Sequence, residues 1–244
     1  MVTVKGSSKM LKVNKLSAWY KEDNIILKEI TFHLKNNTVV GLLGLNGAGK
    51  TTLINTISGV HKSYSVNDLK YYGNEIKFDG NEIKFDGIEW KEQRYTVFTE
   101  EQAFTYWSFR EYLPFVAKVY KKQIDYLRVE ELIKGFGFDK YKDYPIKDLS
   151  TGNRKKIFLI TGFALELPLL ILDEPLDGLD YLASEFLYKE IVGYKKYGTV
   201  LMSSHIAESI EKTCDEVLVL KEGKIRTENL SEIQDIRAAV EGWL

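Results

Sequence analysis

The chemistry of this chain centres on the run Gly44-Leu45-Asn46-Gly47-Ala48-Gly49-Lys50-Thr51-Thr52. It matches G-x-x-x-x-G-K-[ST] in full, the spacing of a phosphate-binding loop. The glycines let the backbone wrap closely around an anion, so that successive amides converge on it. A helix starting at the end of the loop would add its free amides and its dipole. Lys50 can reach the β- and γ-phosphates of a nucleotide, and the Thr51 hydroxyl can ligate Mg²⁺.

A second chemical group closes the apolar run Leu169-Leu170-Ile171-Leu172-Asp173-Glu174-Pro175. A buried parallel strand reads this way, and ligands gather at the C-terminal ends of such strands. Given the phosphate loop, Asp173 would hold Mg²⁺ through water, and Glu174, pointing elsewhere, could accept a proton from an attacking water. His205 follows another core strand, residues 199–203, on the same edge as Glu174, which favours a site role. His33 and His61 have no such context.

Ser150-Thr151-Gly152 offers small residues and free amides ahead of an apolar helix, residues 157–165. Arg154, Lys155 and Lys156 at that helix start are unusual, because cations there oppose the helix dipole. Either an anion sits at that end, or Ser150 is an ordinary cap beside a solvated basic face. Trp19 and Tyr20 end an early strand. They belong to a core, or one of them stacks on a purine ring.

The elements that must position these groups follow from pattern. Residues 38–43 read as a strand and 51–58 as a short helix stopped by Gly59, which is the context the phosphate loop needs. Residues 11–20 and 25–34 read as strands around a polar turn, and residues 95–98 as another strand leading into a polar loop at 99–102. Residues 108–136 read as helical, with Phe109, Leu113, Val116, Val119 and Tyr120 on one stripe and Tyr126, Val129, Leu132 and Ile133 on another. Residues 176–180 read as a turn, 183–197 as a helix, 216–220 as a strand with a hairpin turn at 222–224, and 231–244 as a closing helix. Gly73-Asn74-Glu75-Ile76-Lys77-Phe78-Asp79 is repeated at once as residues 80–86; each copy reads as a short strand of a local duplication without chemical role.

Bulk numbers narrow the classes. The chain has 244 residues, 44% of them apolar, enough for a sizeable core. A net charge of −1 argues against a nucleic-acid-binding surface. The single cysteine, Cys214, excludes a disulfide within the chain and suits a reducing compartment; it reads as a small buried hydrophobe. Residues 1–10 lack the apolar core of a signal peptide, and the longest apolar stretch, 158–172, is broken by Glu166 and Pro168 and is too short to span a bilayer. The expectation is a cytoplasmic chain whose membrane link runs through a partner.

Taken in order, these motifs resemble the ATP-binding subunit of ABC transporters, over essentially the whole chain. Gly44–Thr52 resembles Walker A, residues 169–174 Walker B with its catalytic Glu174, and Leu149-Ser150-Thr151-Gly152-Asn153 the family signature Leu-Ser-Gly-Gly-Gln. Gly178-Leu179-Asp180 resembles the D-loop, His205 the switch histidine, and Tyr20 the adenine-stacking aromatic. Thr151 and Asn153 depart from the signature, and Glu100, with Gln102 the alternative, stands where the family has its Mg²⁺-contacting Gln.

The resemblance implies an α/β, P-loop ABC ATPase fold: a mostly parallel core sheet, an antiparallel β subdomain, and an α-helical subdomain at about 99–149 inserted between 1–98 and 150–244. It implies ATP and Mg²⁺ as ligands, and a head-to-tail pair, a homodimer by expectation. ATP on one Gly44–Thr52 loop would meet Ser150, Thr151, Gly152 and Asp180 across the pair. That arrangement would explain the cations by an anion arriving with the partner. It also implies membrane permease subunits moved through the segment near 100–109, on the inner face of the membrane, and no nucleic acid. Glu100 resembles exporter-type subunits, which leans the direction toward export. An ABC-type ATPase uncoupled from transport is the alternative; translation-factor types carry two cassettes, and repair heads a long coiled coil, for which 59–149 is too short.

Overall fold

The computed structural model describes residues 9–72, 84–99 and 104–243. Strands β1 (Lys9–Lys21) and β2 (Asn24–Lys35) pair antiparallel, and the short strands β4 (Tyr64–Ser65) and β5 (Asp68–Tyr71) add to β1. The second sheet contains β3 (Val39–Leu43), β6 (Arg94–Val97), β7 (Leu169–Leu172), β8 (Thr199–Ser203), β9 (Glu216–Lys221) and β10 (Lys224–Asn229), in the order β10-β9-β3-β8-β7-β6. Its pairs are parallel except at the β10 edge. The Lys28 amide donates to the Gly223 carbonyl at 2.8 Å and ties the antiparallel sheet to the β9–β10 turn.

Every residue of β3, β7 and β8 is buried, which is why their sequences show apolar runs rather than alternation, with Thr199 and Ser203 the polar ends of β8. The two-residue period of a strand divides them between two cores. Val40, Leu42, Leu169, Ile171 and Leu201 face the antiparallel sheet and helix α1 (Lys50–Ile57). Val39, Leu43, Leu170, Leu172, Val200 and Met202 face a helical layer. That layer includes α3 (Phe109–Val119), α4 (Tyr126–Gly135), α5 (Thr151–Leu165), α6 (Tyr181–Gly193) and α7 (Ala207–Thr213). No described helix is long and apolar enough to cross a membrane.

The predicted helical stretch 108–136 is two helices. Ser108 starts α3 in a capping box with Glu111, whose carboxylate accepts the Ser108 amide at 2.8 Å and lies below its usual range because of that bond and the Ser108 hydroxyl. The chain reverses after Val119, with Lys121 in the left-handed region at φ 55°, so Val119 and Tyr126 lie beside the reversal and are exposed instead of joining the stripes. The short helix α2 (Ile88–Lys91), α7, and the shortening of the last helix to α8 (Ile236–Trp243) also differ from the sequence reading. Most of the 73–86 repeat lies outside the described residues. Its end is a turn rather than a strand, because Phe85 is buried against Tyr64 and Trp90, with ring centroids 5.6 and 5.9 Å away.

Phe163 of α5 ties together the ends of α4 and α6 within the helical layer. It stacks on Phe136 at 6.4 Å and meets Tyr194 edge-on at 5.8 Å. The Tyr194 hydroxyl, buried and with its pKa raised by desolvation, donates to the Leu167 carbonyl at 2.9 Å. Phe163→Ala is expected to lower unfolding stability by about 3–5 kcal/mol, and Tyr194→Phe by about 1 kcal/mol. Urea midpoints measure both; an unchanged midpoint for Phe163→Ala would show that this contact carries no stability.

Candidate functional site

The loop Gly44–Thr52 leaves the end of the central strand β3 and enters α1. Gly47 and Gly49 have φ of +81° and +106°, values side chains rarely adopt, so glycine is required at both points. Gly49 is also the N-cap of α1, and no side chain caps that helix. Its first amides are therefore left for an external acceptor, which fits an anion. Lys50 is buried and donates from Nζ to the Gly44 carbonyl at 2.7 Å, folding its ammonium across the loop. Leu45, Asn46, Gly47 and Thr51 are exposed, Ala48 is half-buried, and Thr52 is buried.

Strand register sets the second group. Leu42 of β3 pairs with Ser203 of β8, and Leu172 of β7 with Met202 of β8. The phosphate loop, Asp173 and His205 thus emerge from one edge of the sheet. Asp173 is 2% exposed, and its amide donates to the Val97 carbonyl at 2.8 Å. The Ser203 hydroxyl donates to Asp173 Oδ1 at 2.7 Å and accepts the Glu174 amide at 2.8 Å. Glu174 itself has φ 45°, left-handed for a residue with a side chain. Its Oε2 lies 3.0 Å from His205 Nδ1, and Asp177 joins them, with one ligand atom from each within 4.8 Å of the others. Asp173, Glu174 and His205, predicted from separate strands, are thereby brought together. The buried Asp173 carboxylate and the exposed Thr51 hydroxyl, both carried on this edge, are oxygen ligands of the kind a hard cation takes. Glu100 and Gln102 lie outside the described residues.

Ser150 caps α5, accepting the Asn153 amide at 3.3 Å. Thr151 and Gly152 form its first turn, and a Cβ on Gly152 would run into the Gly178 carbonyl oxygen, so only glycine allows this approach. The basic residues that follow correct the sequence reading. Lys155 and Lys156 are 4% and 5% exposed: neither a solvated face nor the contact for an arriving anion. Lys155 Nζ donates to the Glu174 carbonyl at 2.7 Å, and Lys156 Nζ to Asp180 Oδ2 at 2.9 Å. Arg154 donates to the Leu149 carbonyl at 3.3 Å. Both lysines end on the 174–180 turn, whose oxygens replace their water. Burial lowers the Lys155 pKa, opposed by the charges of Asp177, Asp173 and Glu174. Asp180 caps α6 by accepting the Ala183 amide at 2.9 Å; that bond, then Lys156, holds its carboxyl below the usual range.

Tyr20 is 58% exposed, a surface ring rather than a core one, and stands edge-on to His61 at 4.9 Å. His61 Nε2 lies 3.0 Å from the Trp19 carbonyl and 3.1 Å from that of Ser63. Desolvation pushes the Cys214 thiol up to about 12, which suits packing rather than nucleophilic chemistry. Sequence reasoning missed Ser203, His61 and the roles of Lys155 and Lys156. Ser203 left one signal, a small polar residue closing a buried strand; the others left none that could be read without knowing the packing.

Residues 27–177 match the family model described as ABC transporter. The chain is 38% identical over 218 residues to AlbC of Bacillus subtilis (strain 168), provisionally named an ABC transporter ATP-binding protein, covering 89% of this chain and 90% of that one. It is 32% identical over 234 residues to the ABC-type transporter ATP-binding protein EcsA of the same organism, covering 93% and 90%. Among solved structures it is similar to an ATP-binding subunit of an ABC transporter, with TM-score 0.77, 27% identity and 91% of each chain covered. It is also similar to CbiO1 of Clostridium perfringens, described as part of the ABC transporter complex CbiONQ, with TM-score 0.72, 27% identity, and 93% and 90% coverage. The fold is thus that of ABC ATPases, a parallel core sheet with an antiparallel sheet and a helical layer. With uncapped amides and Lys50 at one strand end and Glu174 and His205 beside it, the chain belongs to the ABC transporter family, as an ATP-binding subunit with ATPase activity.

Proposed function

We propose that two copies of this chain pair head to tail around two ATP and drive a separate membrane permease. The observation that carries this reading is the convergence of the Gly44–Thr52 loop, Asp173, Glu174 and His205 on one sheet edge through the β3–β8–β7 register. In this reading the loop amides and Lys50 bind the phosphates, and Tyr20 stacks on adenine. Thr51 and Asp173, with Glu100 or Gln102, hold Mg²⁺, which supplies charge neutralisation on the phosphates. Glu174 orients a water and takes its proton, and His205, already beside it, contacts the γ-phosphate. Ser150, Thr151, Gly152 and Asp180 face the nucleotide carried by the second copy. Pairing would exclude water from the reacting phosphate and complete the site.

The chain would divide into an ATPase core, 1–98 and 150–244, and a helical subdomain at about 99–149. The permease would dock on that subdomain, where Phe104, Tyr106 and Phe115 are exposed apolar rings. In this reading the protein works in the cytoplasm, on the inner face of the membrane. Two similarities support a membrane complex: CbiO1, and the energy-coupling factor transporter ATP-binding protein EcfA3 of Clostridium perfringens, 31% identical over 222 residues. Export is the proposed direction, supported by Glu100 at the position where the family has Gln. Isolation of the native complex tests the coupling: a co-purifying integral membrane protein is expected, and its absence from every membrane preparation would favour an ATPase uncoupled from transport.

Glu174→Gln keeps the shape but cannot accept a proton. It should bind ATP normally, slow turnover by about 10²–10⁴, and accumulate an ATP-bound dimer on size-exclusion chromatography. Hydrolysis near the wild-type rate would remove Glu174 from its role. For Lys50→Ala the affinity itself should collapse, and an unchanged Kd for ATP by calorimetric titration would contradict the assignment of that ammonium.

A further inference from the structure

We propose that Lys155 is a positioning residue for Glu174, holding its backbone carbonyl and so carrying displacements of the α5 start to the carboxylate of the same chain. The inference rests on the reading of Glu174 as the proton acceptor and extends it to how that carboxylate is aimed.

Glu174 holds a left-handed backbone conformation that a residue with a side chain adopts only when its surroundings impose it. The imposing contacts come from two sides. From β8, Ser203 Oγ accepts its amide at 2.8 Å; from α5, Lys155 Nζ donates to its carbonyl at 2.7 Å. The peptide units flanking the Glu174 Cα are therefore each pinned, and the direction of its side chain is set by both pins. The Asp177 amide also donates to the Glu174 carbonyl, at 3.3 Å, so loss of Lys155 removes the shorter of two bonds on that carbonyl and loosens its torsion.

A lysine is a costly way to make one bond to a carbonyl. At 4% exposure the ammonium gives up its water, and it forms no ion pair within salt-bridge distance among the described residues. The carboxylates of Asp177, Asp173 and Glu174 act on it only at longer range. Such a donor is in place for its geometry. Its neighbour Lys156 binds Asp180 at 2.9 Å, and Gly152 abuts Gly178 between them. The first turns of α5 thus grip the 174–180 turn at its start, middle and end. The rest of the helix is anchored, since residues 157–165 are all buried in the core. Of these three contacts Lys155 is the one on Glu174 itself.

The test uses the full-length chain. Lys155→Met keeps the length and burial of the side chain and deletes the donor; Lys155→Arg keeps a donor. Expected for Lys155→Met are a kcat lower by about 10–100-fold, a KM and a Kd for ATP within about 2-fold of wild type, and recovery of much of kcat in Lys155→Arg. In a Glu174→Gln background, Lys155→Met should lower the residual rate no further, because the group it aims has been disabled. A Lys155→Met kcat near wild type, an equal loss in the Glu174→Gln background, or an arginine variant no better than methionine overturns the proposal. Glu174→Gln as fast as wild type overturns the reading of Glu174 and this inference with it. Slow Glu174→Gln beside unimpaired Lys155→Met overturns this inference alone. Circular dichroism and the urea midpoint establish folding, and should Lys155→Met not fold, Lys155→Gln, polar but too short for the same bond, takes its place.

Discussion

The site depends on one hydroxyl held at one register. Parallel pairing of β7 with β8 sets Asp173 level with Ser203, and Ser203 Oγ then serves both neighbouring residues, donating to the Asp173 carboxylate and accepting the Glu174 amide. A shift of one residue would turn every apolar side chain of these strands to the opposite core and remove Ser203 from both partners. Both faces of these strands are buried, and side chains packed to fit two different cores resist such a shift. Hydrophobic burial therefore sets the positions at which a few hydrogen bonds can act. The bonds themselves are worth only about 1 kcal/mol each, too little to select the register.

Charge placement follows the same logic. A buried ionic group without partners costs several kcal/mol, so each one inside the chain must have a stated partner. Asp173 has the Ser203 hydroxyl, and Lys50 and Lys155 have backbone carbonyls. Lys156 has the Asp180 carboxylate, 61% of whose side chain remains exposed. Arg94, its pKa lowered to about 10 by burial, donates to the Ser58 carbonyl at the foot of α1. These contacts join the phosphate-loop helix, the Glu174 turn and α5 to the sheet by directional bonds. An apolar substitute would fill the same volume without aiming anything.

What could be read in the sequence was what is local. The phosphate loop carries its chemistry and its strand–loop–helix context within about twenty residues, so Gly47, Gly49 and Lys50 were legible before any fold was known. The Asp173–Glu174 pair was legible because a continuous apolar run announces a buried parallel strand, and His205 because it closes another. Ser203 was hidden because its role needs the pairing of β7 with β8, which no local pattern encodes. The lysines of α5 were misread for a related reason: three cations in a row look solvated until the helix is packed and two of them point inward. The helical stretch 108–136 has a clear period on each side of residue 120, but the reversal at Lys121 is a backbone event without a glycine to mark it.

The polarity of α5 bears on how nucleotide chemistry couples to movement. Its C-terminal two-thirds is apolar on every face and buried, so it cannot slide without opening the core. Its first two turns carry polar contacts, those of Lys155 and Lys156 going to oxygens of the 174–180 turn. Interdigitated side chains resist displacement, and a hydrogen bond of 2.7 Å ties the positions of its two partners together. On the inference that Lys155 aims Glu174, a displacement of the Ser150–Gly152 tip would reach the Glu174 carbonyl through that lysine, while the buried end of the helix stays in place. The segment that departs from the family signature at Thr151 and Asn153 lies within about one turn of the lysine that holds the Glu174 carbonyl, so a substitution there bears on the same contact.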